Sequence, residues 1–163
     1  MDDGVRPRLT ERLTVPPRYS HTNLVARDWR RLADFYVDVF GCEPVPPERD
    51  LEGAWLDHAT GLRSAHVRGV HLRLPGHGAD GPTLEVFGYD ESLPQPEPAA
   101  NRLGYGHIAF EVDDVAATLE LVRAAGGELL GEISRTDIPG AGRLELVYAL
   151  DPEGNVLELQ AWG

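Results

Sequence analysis

The chain has no lysine: all fifteen of its basic residues are arginine. Schiff-base and lysine-nucleophile chemistry are therefore excluded. It has one cysteine, Cys42, so no internal disulfide can form. Cys42 follows an apolar helical stretch and reads as a packed thiol. Aromatic residues are 7% of the chain, too few to suggest a stacking groove. No apolar run approaches the roughly 20 residues that cross a bilayer, and the charged N-terminus MDDGVRPRLTERL carries no apolar core of a signal peptide. The expected compartment is the cytoplasm. Basic charge is also scarce, with 15 basic against 27 acidic residues and a net charge of −12. Such a field repels phosphate backbones and anionic lipid, which leaves small-molecule partners.

What is present suits one globular domain: 163 residues, 42% hydrophobic and 26% charged. Residues 1–18 read as an N-terminal extension broken by Pro7, Pro16 and Pro17. A strand is expected from Tyr19 to Arg27. Asp28 then caps a helix whose apolar face is Trp29, Leu32, Ala33, Phe35, Tyr36, Val39 and Phe40, and Gly41 ends it. Residues 52–62 read as a short strand and a turn. Residues 65–74 and 83–89 alternate as strands. Residues 91–104 hold Pro94, Pro96 and Pro98 and read as a linker.

After the linker the pattern restarts. Tyr19-Ser20-His21 matches Tyr105-Gly106-His107, and His21 to Gly41 spans 20 residues where His107 to Gly126 spans 19. A strand, a helix capped by Asp113 or Asp114, and strands at 127–133, 143–150 and 155–162 follow. The repeat predicts two modules, 19–90 and 105–163, each reading strand, helix, strand, strand, strand.

The repeat puts His21 and His107 at matching places in the first strand of each module, and Glu85 and Glu158 at matching places in the last. Leu84 and Val86 flank Glu85, and Leu157 and Leu159 flank Glu158, so both glutamates face away from the apolar side. A carboxylate in a concave sheet needs a partner. Two imidazoles and two carboxylates suit one divalent ion, Zn, Ni, Co, Fe or Mn, with positions left for substrate oxygens. Asn23, two residues after His21, Gln160, two after Glu158, and Phe87, two after Glu85, share these faces and are candidate substrate contacts. Ala109, Tyr19 and Tyr105 are same-face neighbours suited to the pocket wall or to packing. His71 and Arg73 share one face of the third strand, where they bind a substrate anion if that face is concave and otherwise face solvent, the reading favoured by the sequence. His58 sits by a turn, and His66 and His77 look exposed.

The segments HTNLVARDWRRLADFYVDVFG, TLEVF, GHIAFEVDDV and DPEGNVLELQ make residues 19–162 resemble the vicinal oxygen chelate superfamily. That family includes glyoxalase I, methylmalonyl-CoA epimerase, extradiol dioxygenases and bleomycin-binding proteins. The resemblance implies an α+β fold in which two βαβββ modules form a cupped, eight-stranded mixed sheet around a metal. It implies His21, Glu85, His107 and Glu158 as metal ligands, the pattern of glyoxalase I, with Glu158 as catalytic base and Glu85 as its partner. The implied activity is a metal-dependent lyase or isomerase acting on vicinal oxygens through an enediolate-like intermediate. An acyl-CoA epimerase and a non-catalytic binding or resistance protein are the alternatives. A homodimer is expected. The extension, the linker and residues 52–76 depart from the glyoxalase I pattern.

Overall fold

The computed structural model describes residues 14–163; most of the expected extension, residues 1–13, lies outside the described residues. The chain runs β1 (His21–Val25), α1 (Trp29–Phe40), β2 (Glu43–Glu52), α2 (Ala54–Thr60), β3 (His66–Arg73), β4 (Thr83–Tyr89), β5 (Ile108–Glu111), α3 (Val115–Ala124), β6 (Glu128–Leu129), β7 (Ser134–Ile138), β8 (Gly142–Leu150) and β9 (Val156–Trp162). One mixed sheet has the order β1-β4-β3-β2, and the other β5-β9-β8-β6 with β7 also on β8. In each, the first strand runs parallel to the last, and the other pairs are antiparallel. β6 pairs with Ala149 and Leu150, and β7 with Gly142 to Leu146, along β8. The two fragments thus fill one strand position, giving eight positions in two modules.

Both long helices form where the apolar period and caps direct. The Asp28 side chain accepts from the Arg31 N–H, and Gly41 takes the left-handed conformation that ends α1. Asp114 caps α3 through the Ala117 N–H. Leu32, Phe35 and Tyr36 of α1 and Val115, Leu119 and Val122 of α3 are buried. They join Leu72, Leu84, Val86, Val147, Leu157 and Leu159 in one continuous core shared by both modules.

Three segments differ from the sequence expectation. The first edge strand is β2, inside EPVPPERDLE, where three prolines argue against a strand. They are tolerated because β2 is an edge, and its register shifts between Val45 and Arg49. Residues 54–60, expected as strand and turn, are the helix α2. Seven residues are too few to show a period. What holds α2 is tertiary: the Asp57 carboxylate accepts from the Ser64 and Ala65 N–H groups, and Leu56 packs with Ala65, Val67 and Phe87. The strand expected over 127–133 is broken into β6 and a bend, and β7 begins only at Ser134.

Gly69 of β3 has no room for a side chain. A Cβ there would meet the Val86 carbonyl oxygen at 2.1 Å and the Phe87 ring at 2.2 Å. The bare backbone lets Phe87 lie across the sheet face.

A buried polar knot ties the modules. The Asp151 carboxylate accepts from Tyr36 Oη at 2.9 Å, from Asn155 Nδ2 at 2.8 Å, and from the N–H groups of Glu153 and Asn155. Burial pushes the Asp151 pKa up, and these hydrogen bonds oppose that shift. Asp151→Ala strands the Tyr36 hydroxyl and two turn amides. We expect a loss of about 2 kcal/mol or more, read by chemical denaturation.

On the surface, His66 lies 2.5 Å from Asp50 and 3.1 Å from Asp90, and Arg68 bridges the same two carboxylates. The hydrogen bond that His66 donates to Asp50 raises the His66 pKa. Protonated His66 therefore favours the folded chain. That contribution is full below the ordinary value of about 6.5 and is lost as pH rises through the folded value. The Tm gap between wild type and His66→Gln should be wider near about pH 5.5 than near about pH 8.5.

Candidate metal centre

Strand pairing sets the rows of the site. Residues opposed in register share a face. Asn23, Glu85 and His71 form one row across β1, β4 and β3. His21, Thr83 and Arg73 form the next. This face lies opposite the helices, because Leu84 and Val86 on the other face are in the core. In the second module Ala109, Glu158 and Tyr148 form the matching row, and Leu157 and Leu159 turn inward.

Within each module the structure brings one predicted histidine and one predicted glutamate together. His21 Nε2 is 3.6 Å from Glu85 Oε2, and His107 Nε2 is 3.3 Å from Glu158 Oε2. The carboxylates are mostly covered, with 15% and 12% of their side-chain surface exposed, while the imidazoles are 41% and 36% exposed. Two donors bound at about 2.1 Å to one ion lie about 3.0–3.4 Å apart. Each His–Glu pair thus has close to the separation of adjacent ligands, and its donor types suit a borderline divalent metal. The four donors do not converge within the chain. Among the described residues no group of three or more His, Cys, Asp or Glu side chains is disposed to hold one ion. The chain presents two separate His–Glu pairs.

Asn23 shares the face of Glu85. Its Nδ2 donates to Glu85 Oε2 at 2.8 Å. Gln160 Oε1 accepts from the Trp162 indole at 3.3 Å. Phe87 is buried under α2 rather than standing free as a wall. Tyr19 and Tyr105 are exposed. A cleft of about 260 Å3 runs between β1 and β5. Asn23 lines one side, His107 the other, and Gln95, Pro98 and Arg102 of the linker border it.

Several residues escaped the sequence argument. His71, expected to face solvent, lies beside Glu85, with Nε2 3.0 Å from Oε1 and Nδ1 3.0 Å from Thr83 Oγ1. Burial, with the nearby charges of Arg49 and His21, lowers its pKa against the pull of Glu85. Tyr148 holds the matching place beside Glu158, whose carboxylate raises the phenol pKa. Arg49, in register with Gly69 and Phe87, is half-buried and has no carboxylate partner among the described residues. The alternation of AHVRGVHLRL carried the signal for His71, but only the register shows which face is which. Arg73 pairs with Glu43 at the sheet edge, and His58 sits in the last turn of α2. Cys42 is buried and its thiol is pushed up to about 11 by burial, which disfavours the thiolate.

Residues 18–159 match the family described as the Glyoxalase/Bleomycin resistance protein/Dioxygenase superfamily. A probable lactoylglutathione lyase of Vibrio cholerae is 40% identical over 147 residues, spanning 87% of this chain and 88% of that protein. A lactoylglutathione lyase of Haemophilus influenzae is 28% identical over 142 residues, spanning 85% and 87%. Among solved structures, a glyoxalase family protein from Bacillus cereus superposes with a TM-score of 0.78 at 20% identity, covering 93% of this chain and 97% of that one. At that identity the likeness speaks for the fold.

Proposed function

Since the chain belongs to the glyoxalase/bleomycin resistance protein/dioxygenase superfamily, we propose that it is a divalent-metal-dependent lyase of the glyoxalase I type. Its substrate would be a hemithioacetal of the kind glutathione forms with a 2-oxoaldehyde. The observation that carries this reading is the pair of matched His–Glu half-sites, His21 with Glu85 and His107 with Glu158. The names of the Vibrio and Haemophilus relatives point the same way.

His21, Glu85, His107 and Glu158 would hold the ion. When bound, a divalent metal polarises a substrate oxygen and so acidifies the neighbouring C–H bond. The chain's own residues do the rest. Glu158 takes the proton from the carbon bearing sulfur and returns it to the adjacent carbon, so the hemithioacetal isomerises to a thioester with no net gain or loss of atoms. Glu85 stays in place as its partner. Arg49 offers a local positive charge to a substrate carboxylate in a chain of net charge −12.

Two half-sites in one chain call for a second copy. In a two-fold dimer, the partner's His107 and the partner's Glu158 would complete the site begun by His21 and Glu85.

Purified, untagged protein should carry about one divalent ion per chain by inductively coupled plasma mass spectrometry. His21→Ala and Glu158→Ala should lose it, and Glu85→Ala and Glu158→Ala should lose thioester formation. Native protein that holds no metal and takes up none of Ni, Zn, Co, Fe or Mn would end this reading and favour a binding protein.

The cross-chain site has its own test. His21→Ala and His107→Ala chains, each inactive alone, should regain roughly a quarter of wild-type turnover when unfolded and refolded together, because half the dimers are mixed and hold one intact site. No recovery would place all four ligands in one chain.

A further inference from the structure

Glu85 and Glu158 hold matching positions in different company. Glu85 stands between Asn23 and His71, and Glu158 between Ala109 and Tyr148. Asn23 Nδ2 donates to one Glu85 oxygen at 2.8 Å, and His71 Nε2 lies 3.0 Å from the other. Both oxygens of Glu85 are therefore engaged. Glu158 has the Tyr148 phenol hydrogen-bonded on one side and His107 Nε2 at 3.3 Å, but on the other side only the methyl group of Ala109, which can donate nothing.

His71 is itself held. Its Nδ1 lies 3.0 Å from Thr83 Oγ1. A carboxylate only accepts, while a hydroxyl donates or accepts. A neutral ring meets both contacts when Nε2 carries the proton and the Thr83 hydroxyl donates to Nδ1. Phe87 meets the ring edge-on, with centroids 5.9 Å apart, and His21 does the same at 5.7 Å. Packed on both sides, with 19% of its side chain exposed, the imidazole has little room to turn.

We propose that His71, oriented by Thr83, is a positioning residue that with Asn23 locks Glu85 as the fixed carboxylate of the site. The repeat does not reproduce this lock, since Ala109 stands where Asn23 would. The hydrogen-bonded lock stands on geometry alone; its effect on metal rests on the function proposed above.

Two measurements test it on the full-length chain. The first is a long-range proton–nitrogen NMR spectrum of the imidazoles in metal-free protein at one fixed pH. His71 should appear as the neutral form protonated on Nε2, and Thr83→Val should shift its Nδ1 resonance. The second is Zn2+ affinity by competition with a chelator. His71→Ala should weaken it about 10- to 100-fold, the effect typical of groups that orient a ligand. His71→Gln, whose amide nitrogen can still donate to Glu85, should stay within a few-fold of wild type. His71→Gln and Thr83→Val also keep the test open if the alanine variant does not fold. A His71 proton on Nδ1, or no response to Thr83→Val, overturns the proposal, as does wild-type Zn2+ affinity in His71→Ala. If wild type binds no Zn2+, the enzyme reading falls instead, and the imidazole spectrum alone decides the lock.

Discussion

A pleated strand turns successive side chains to opposite faces, and this alternation makes a site possible here. In β4, Leu84 and Val86 enter the helix-side core while Glu85 and Phe87 turn the other way. In β9, Leu157 and Leu159 do the same for Glu158. The apolar residues need burial under α1 and α3. Their burial fixes the register, and the register fixes which polar groups meet. A one-residue slip would carry each glutamate into the core. The stability of the sheet and the geometry of the half-sites therefore rest on one constraint.

The modules share a plan and differ in detail. α1 and α3 stand at matching places, capped by Asp28 and Asp114 in the same way. The first module adds α2, which lays Leu56 on the open face beside Phe87. Gly69 makes this possible by leaving the face flat enough for the Phe87 ring. The second module has no such cover, and its edge is the broken pair β6 and β7. One half-site is therefore packed from behind by an aromatic ring and an extra helix. The other has the Tyr148 phenol and His107 beside its carboxylate, and Ala109 where the first module has Asn23. The proposed lock on Glu85 follows from this difference between the modules.

Much of the fold was legible because its signals are local. A cap residue, a 3.6-residue period and a glycine stop need only a dozen residues to show themselves, which is why α1 and α3 stand where expected. β2 was hidden because its prolines oppose a strand in general but not on an edge. α2 was hidden because seven residues show no period, and its hold on the chain comes from Asp57 and Leu56 reaching other segments.

The sequence by itself determined the repeat, the two helices, the family resemblance and the equivalence of His21 with His107 and of Glu85 with Glu158. Each of these depends on spacing along the chain or on strand alternation, and the repeat marks equivalent positions twice. Only the tertiary structure decided that His71 faces Glu85, that Asn23 is spent on the same carboxylate, and that the two His–Glu pairs stand separate among the described residues. These depend on which strand lies beside which, and in what register. A sequence read one segment at a time carries the period of each strand but not the identity of its neighbour across the sheet.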